Sequence, residues 1–398
     1  MADHTEQAES HLSSRVRSIS ESSIRVMFNL AEEIDEDLVR LEVGEPDFTT
    51  PAHIIDASHE AAHAGATHYT SNAGQPDLRR AVADKMASDN AVDVDPEDVV
   101  VTNGAMEALY LSLLAVVDPG EEVVIPTPGW PNYTSQTTLV GGTPVHVPLD
   151  PDEDFDLDAD RVIDAVGPDT SAIILNTPCN PTGRVFERDA IRSIVAAAAD
   201  HDAYVLADEV YEGFVYDGSA EGIASYVDHP DRVITINTCS KKYAMTGWRL
   251  GWLAAPPEIA DATTTLHQST SSCAPSISQE AALAAISGDQ AAAEEMRDAF
   301  VERRDHVVDR VAEIPRITCT EPQGAFYTLL DVGDLDGGSF EIAKRLMYDY
   351  GVVTAPGSGF GETSEDHLRI SFANSLEQIE RGFDRIDEMV RTELDVDE

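Results

Sequence analysis

A chain of 398 residues is longer than a single hydrophobic core comfortably supports, so a large unit and a smaller one are expected. Acidic residues outnumber basic ones 74 to 26, and a formal net charge of −48 excludes nucleic-acid phosphates and anionic membrane surfaces as partners. Hydrophobic residues make up 42% of the chain, ample for burial, yet no apolar run approaches the roughly 18 residues that cross a bilayer, and the start MADHTEQAES is unlike a signal peptide, so a soluble, cytoplasmic protein is expected.

In chain order, residues 1–12 are polar and are expected to be disordered. From about residue 99 to 255, short runs rich in Val and Ile alternate with helical text. Strands are predicted at 99–102, 122–126, 144–147, 172–175, 204–207, 233–237 and 250–254, with helices at 105–116, 131–139 and 188–200 between them. Continuously apolar strands alternating with helices predict an α/β fold, a large domain with a mostly parallel seven-stranded sheet covered by helices. The last third reads as a smaller α+β domain: a long charged helix at 289–314, a strand at 325–330, a helix at 339–350, a strand at 368–372 and a closing helix at 376–392.

Because the acidic residues are spread among well-patterned elements, an acidic disordered chain is excluded. Self-repulsion of that size is relieved where salt shortens the screening length to about 3 Å, so a salt-rich cytoplasm is the expected setting. Cys179, Cys239, Cys273 and Cys319 have no close pair, and small buried residues are expected rather than a zinc site or a disulfide. Only four lysines occur: Lys85, Lys241, Lys242 and Lys344. Lys85 and Lys344 fall in amphipathic helical text, where an exposed charge is expected, whereas an adjacent pair in so lysine-poor a chain asks for a specific reason.

In open parallel sheets, ligands bind beyond the carboxyl ends of the strands. There VVVT is followed by Asn103 and Gly104, VVIP leads to Trp130, AIIL to NTPCNPTG, YVLA to Asp208, and VITI to NTCSKK. Singly each is ordinary turn chemistry; together they place an acid, an amine, an aromatic ring and a phosphate-sized cradle on one rim.

The blocks SKKYAMTGWRLG, NTPCNPTG, ADEVYEGFVY, TNGAMEAL, VGEPDF and DHLRISFA resemble the signatures of the fold-type I, class I/II pyridoxal-phosphate aminotransferases, in particular the archaeal and bacterial subgroup that includes aspartate and aromatic aminotransferases. The resemblance spans nearly the whole chain from Arg15 onward and, with the acidic composition, points to a haloarchaeal source. It implies a segment 13–47 joining the small domain, a large cofactor-binding domain over 48–279 and a small C-terminal domain over 280–398. Lys241 is then the amine that carries pyridoxal 5'-phosphate as a Schiff base and shuttles the substrate proton. Asp208 is the carboxylate that keeps the ring nitrogen protonated. Tyr211 and Asn180 bond the ring oxygen, and Trp130 stacks on the ring. The amides of Ala105 and Met106, the Thr238 hydroxyl and the Arg249 guanidinium take the phosphate. Tyr69 reaches the neighbouring subunit's phosphate, which implies a homodimer. Arg369 and the Gly44 amide clamp the α-carboxylate. Glu209 is expected to point away.

Relatives specific for aspartate carry lysine where this chain has Met106, which cannot pair with a side-chain carboxylate. Apolar or aromatic amino acids exchanged with 2-oxoglutarate or another 2-oxo acid are therefore the expected substrates. Aspartate is the alternative, because Arg15, Arg17 and Arg25 should run near the site. A β-lyase on the same fold would use the same residues. A non-catalytic regulator would need an added basic DNA-binding domain, for which the chain has neither length nor charge.

Overall fold

A computed structural model describes residues 12–19, 22–34, 37–218 and 220–394, so the expectation for residues 1–12 lies, all but Leu12, outside the described residues. The strands in chain order are β1 (Val39–Arg40), β2 (Val99–Thr102), β3 (Glu122–Thr127), β4 (Thr143–Pro148), β5 (Thr170–Asn176), β6 (Tyr204–Asp208), β7 (Val233–Thr238), β8 (Gly251–Ala254), β9 (Thr318–Cys319), β10 (Tyr327–Asp331), β11 (Val352–Val353), β12 (Ala355–Pro356) and β13 (His367–Ser371).

The main sheet has seven strands in the order β2-β8-β7-β6-β5-β3-β4. Helices such as Ala105–Val116 and Arg188–Asp200 cover it, and its strand interiors are buried, as the unbroken apolar runs require, except in the edge strand β4, where Thr143 and His146 are exposed. Strands β4, β3, β5, β6 and β7 are parallel, whereas β8 is antiparallel to both β7 and β2. The reversal has a local cause: the link from β7 to β8 contains only a short 3-10 turn, too little for a crossover to a parallel strand. Lys241 lies in that link. Gly251 sits opposite both Thr102 and Thr238, and a Cβ there would approach the Ala105 amide to 2.6 Å, so glycine lets the start of helix Ala105–Val116 press against the sheet.

The last third forms an antiparallel sheet, β12-β13-β10-β9, packed by helices Ala291–Glu313, Ser339–Tyr350 and Leu376–Glu393 around Phe300, Phe326, Phe372 and Phe383. Leu41 and Met27 enter the same core, and β1 pairs in parallel with β11, so the N-terminal segment closes onto this part of the molecule. Among the described residues no helix is long and apolar enough to cross a membrane.

Two expectations need correction. Lys85 is only 5% exposed; its amine donates to Asn90 Oδ1 at 2.7 Å and pairs with Glu212, which tethers helix Pro76–Asp89 to the loop after β6. Amphipathic text placed this lysine at the surface because its acidic partner is far along the chain. The second concerns the cysteines: Cys179 and Cys239 are buried, but Cys273 and Cys319 are only partly so.

Candidate active site

The carboxyl ends of the parallel strands open into a cavity of about 860 Å³, roofed by the N-terminal helix Ser23–Glu32 and closed on one side by β13. Gly44, Ala105, Met106, Trp130, Asn180, Asp208, Tyr211, Thr238, Lys241, Arg249 and Arg369 line it; Tyr69 does not. Tyr69 is 89% exposed, on a surface loop outside its own chain's cavity.

Lys241 projects from the β7–β8 link and donates to the Gly44 carbonyl at 2.7 Å, with its amine 5.5 Å from the Tyr211 ring centroid. Burial lowers its pKa to about 8, helped by Arg369 and Arg249 and opposed by Glu45 and Asp208. A sizeable uncharged fraction near neutral pH makes the amine a usable base and nucleophile. Lys242 points elsewhere and pairs with Asp89 at 3.0 Å. Gly44 touches this site through its carbonyl, and a Cβ there would come within 2.5 Å of the Tyr327 hydroxyl, so the backbone can approach only as glycine.

Asp208 ends β6 at 4% exposure. Its Oδ2 accepts the Tyr133 hydroxyl at 2.6 Å and its Oδ1 the Val210 amide at 3.3 Å. Burial pushes its pKa up to about 6, against the pull of those hydrogen bonds and of Lys241. Glu209 faces away, accepting the Ile223 amide at 2.7 Å, and burial raises it to about 8, so at neutral pH it is largely protonated. Asn176 clamps the strand ends, donating to the Asp208 carbonyl at 2.9 Å and accepting the Asn180 amide at 2.8 Å.

Arg369, on β13, is 4% exposed and has no carboxylate partner. Its Nη1 donates to Asn180 Oδ1 at 3.2 Å and its Nη2 to the Glu42 carbonyl at 2.5 Å, while its Nε is buried without a partner. The guanidinium lies 4.5 Å from the Tyr327 ring centroid, and the Tyr327 hydroxyl is 3.0 Å from that of Tyr211. A buried, permanently charged group with an open donor awaits an anion.

The same cavity lining holds a second anion cradle. Gly104, at φ +84°, starts helix Ala105–Val116 with no side-chain cap, so the Ala105 and Met106 amides have no intrahelical acceptor. Arg249, held at φ +54°, donates to the carbonyls of Thr246 at 2.8 Å and Asn103 at 3.4 Å. A Cβ on Gly104 would meet Arg249 Nη2 at 2.7 Å. The Thr238 hydroxyl bonds the Leu250 carbonyl at 2.7 Å and Ser240 Oγ at 2.9 Å, so Ser240 joins it at this edge. Trp130 lies edge-on to Tyr133, with centroids 5.6 Å apart.

Tyr133, Asn176, Ser240 and Tyr327 line the cavity without having been singled out in the sequence. For Asn176 and Ser240 the signal was present, since both sit within the blocks at strand ends. Tyr133 and Tyr327 carry no local mark, one in a mixed helix and the other in an apolar strand.

An amine of lowered pKa, a buried carboxylate, an uncapped helix start beside one arginine and a buried second arginine form the donor set that pyridoxal phosphate and an amino acid require: the two anions meet the two cradles, and the ring nitrogen a carboxylate. The comparisons agree. The family model for aminotransferase class I and II matches residues 36–386. The chain is 38% identical over 384 residues to the probable aspartate aminotransferase of Methanocaldococcus jannaschii, covering 95% of this chain and 99% of that one. It is also 38% identical over 384 residues to the aromatic-amino-acid aminotransferase 2 of Thermococcus litoralis, covering 96% of this chain and 98% of that one. Thermus thermophilus aspartate aminotransferase with maleate superposes with a TM-score of 0.90 at 34% identity, covering 95% of this chain and 99% of that chain. The chain thus belongs to the class I and II aminotransferases, transferase enzymes that work with pyridoxal phosphate.

Proposed function

We propose that this aminotransferase moves the amino group of apolar or aromatic L-amino acids to 2-oxoglutarate or a similar 2-oxo acid. The observation that carries the preference is the lining of the cavity: Ile24, Phe28, Leu139 and Met106 contribute apolar side chains, and Lys241 is the one lysine among the described lining residues.

When bound, pyridoxal phosphate supplies a protonated ring that accepts the electron pair of the broken Cα–H bond. The residues of the chain do the rest. Lys241 takes the proton from the substrate α-carbon and returns it, which its pKa of about 8 permits near neutral pH. Asp208 would meet the ring nitrogen and keep its proton in place, while Tyr211 and Asn180 would hold the ring oxygen and Trp130 would cover the ring face. Ala105, Met106, Thr238 and Arg249 would anchor the phosphate. Arg369, with Gly44, fixes the α-carboxylate so that the Cα–H bond faces Lys241. We take the chain as a large domain over 48–279 and a small one over 280–398 joined by 13–47, a division that would assign Arg249 to the large domain and Arg369 to the small one.

The exposure of Tyr69 supports its use by a second copy of the chain, so we take the enzyme as a homodimer; the net charge of −48 supports a salt-rich cytoplasm as its setting. Assay of a panel of amino donors with 2-oxoglutarate in molar salt tests the reading. Higher kcat/KM for phenylalanine or leucine than for aspartate is expected, and a strong preference for aspartate overturns the substrate assignment. Sedimentation tests the dimer.

A further inference from the structure

The charge imbalance turns unpaired arginines into information. With acidic residues in nearly threefold excess, most arginines among the described residues have a carboxylate within 4 Å, as Arg40, Arg184, Arg303 and Arg310 do. The three arginines that line the cavity, Arg25, Arg249 and Arg369, have none among the described residues. In so acidic a chain, carboxylate-free guanidinium groups gathered in one cavity are reserved for anions that arrive from outside.

Two of the three are accounted for: Arg249 faces the phosphate cradle, and Arg369 is the buried clamp. Arg25 has no such role. It projects from the first turn of the roofing helix, where the Ser22 hydroxyl accepts its backbone amide at 3.3 Å. Its guanidinium makes no hydrogen bond among the described residues and rests 5.0 Å from the Phe28 ring centroid, with Arg40 at the same distance from that ring. Arg40 is engaged by Glu32 and Glu42; Arg25 is free to donate. Phe28 therefore supports the Arg25 side chain along the otherwise apolar wall of the cavity.

We infer that Arg25 binds the far carboxylate of dicarboxylic substrates, and so determines how well the enzyme takes an oxo diacid acceptor or a dicarboxylic donor. This inference rests on the aminotransferase reading of the cavity. It resolves the tension left by Met106: a pocket walled by apolar side chains can accept an aromatic donor and still take 2-oxoglutarate, provided one cation stands at its rim. The charge comes from the roof, on the same chain, instead of from the helix that bears Met106.

The test uses the holoenzyme and two unreactive ligands, glutarate and 3-phenylpropanoate, titrated calorimetrically against the wild type, Arg25→Gln and Arg25→Lys. A charge-assisted bond at a partly exposed site corresponds to about tenfold or more in affinity. Arg25→Gln is expected to shift the ratio of the two dissociation constants by about tenfold against glutarate, and Arg25→Lys to recover part of it. In turnover, KM for 2-oxoglutarate should rise more than kcat falls. An unchanged ratio overturns the inference, as does equal weakening of both ligands, which marks a purely structural role for the roof. A wild type that turns over no amino acid with any oxo acid fails the underlying reading instead.

Discussion

The Tyr133 hydroxyl donates a hydrogen bond to Asp208 Oδ2 across 2.6 Å, between a helix residue and a strand end far apart in sequence. Both groups are buried, and burial pushes both pKa values up, Asp208 to about 6. The hydrogen bond and the Val210 amide limit that rise, keeping the carboxylate chargeable when a cation comes to face it.

Before any cofactor binds, Asp208 is a liability. Its folded-state pKa lies above the ordinary value of 3.8, so the native protein retains a proton that the unfolded chain releases. Stability should therefore fall as pH rises from about 4 through about 6 and remain lower above that. Asp208→Asn removes the penalty, and the apo-protein variant is expected to be more stable than wild type at pH 8 by on the order of 2 kcal/mol. Denaturant unfolding of apo-protein at pH 5 and pH 8 measures this, with the gap narrowing at the lower pH. Activity should be lost in the same variant.

Gly104 is required twice over, by φ +84° and by the 2.7 Å approach of Arg249 Nη2 to any Cβ. Gly104→Ala should destabilise the protein by about 1–2 kcal/mol and weaken cofactor retention, read by equilibrium dialysis of pyridoxal phosphate. A variant that holds the cofactor as tightly as wild type contradicts the phosphate cradle.

Lys85 and Glu212 form a buried pair behind the loop that carries Tyr211. Removing one partner strands the other charge, so Lys85→Met is expected to lose about 3 kcal/mol, and adding Glu212→Gln to restore much of it. The coupling is measured by chemical denaturation of the two single variants and the double variant.

A net charge of −48 should make the fold depend on screening. Thermal midpoints are expected to fall steadily as salt is diluted from molar to millimolar concentration. Equal midpoints at both ends would sink the halophilic reading.

The fold was legible because its strands announce themselves: β2, β7 and β8 are buried throughout, and runs of Val and Ile with polar residues at their carboxyl ends mark both strand and rim. That Lys241, Asp208 and Arg249 share the rim could be read because their blocks are local. Tyr133, Tyr327 and the Lys85–Glu212 pair could not, since each depends on a partner brought close only by folding. The two-residue strands β1, β9, β11 and β12 were equally out of reach, being too short for any period to register. Arg25 was noticed as a nearby charge, but its isolation from every described carboxylate is a property of the folded chain alone.

The most direct measurement fixes the holoenzyme with borohydride and maps the pyridoxyl-modified peptide by mass spectrometry. The expected result is a single adduct on Lys241, with the yellow absorbance lost on reduction. An adduct on Lys242 or Lys85, or none at all, would contradict the assignment on which the site is built.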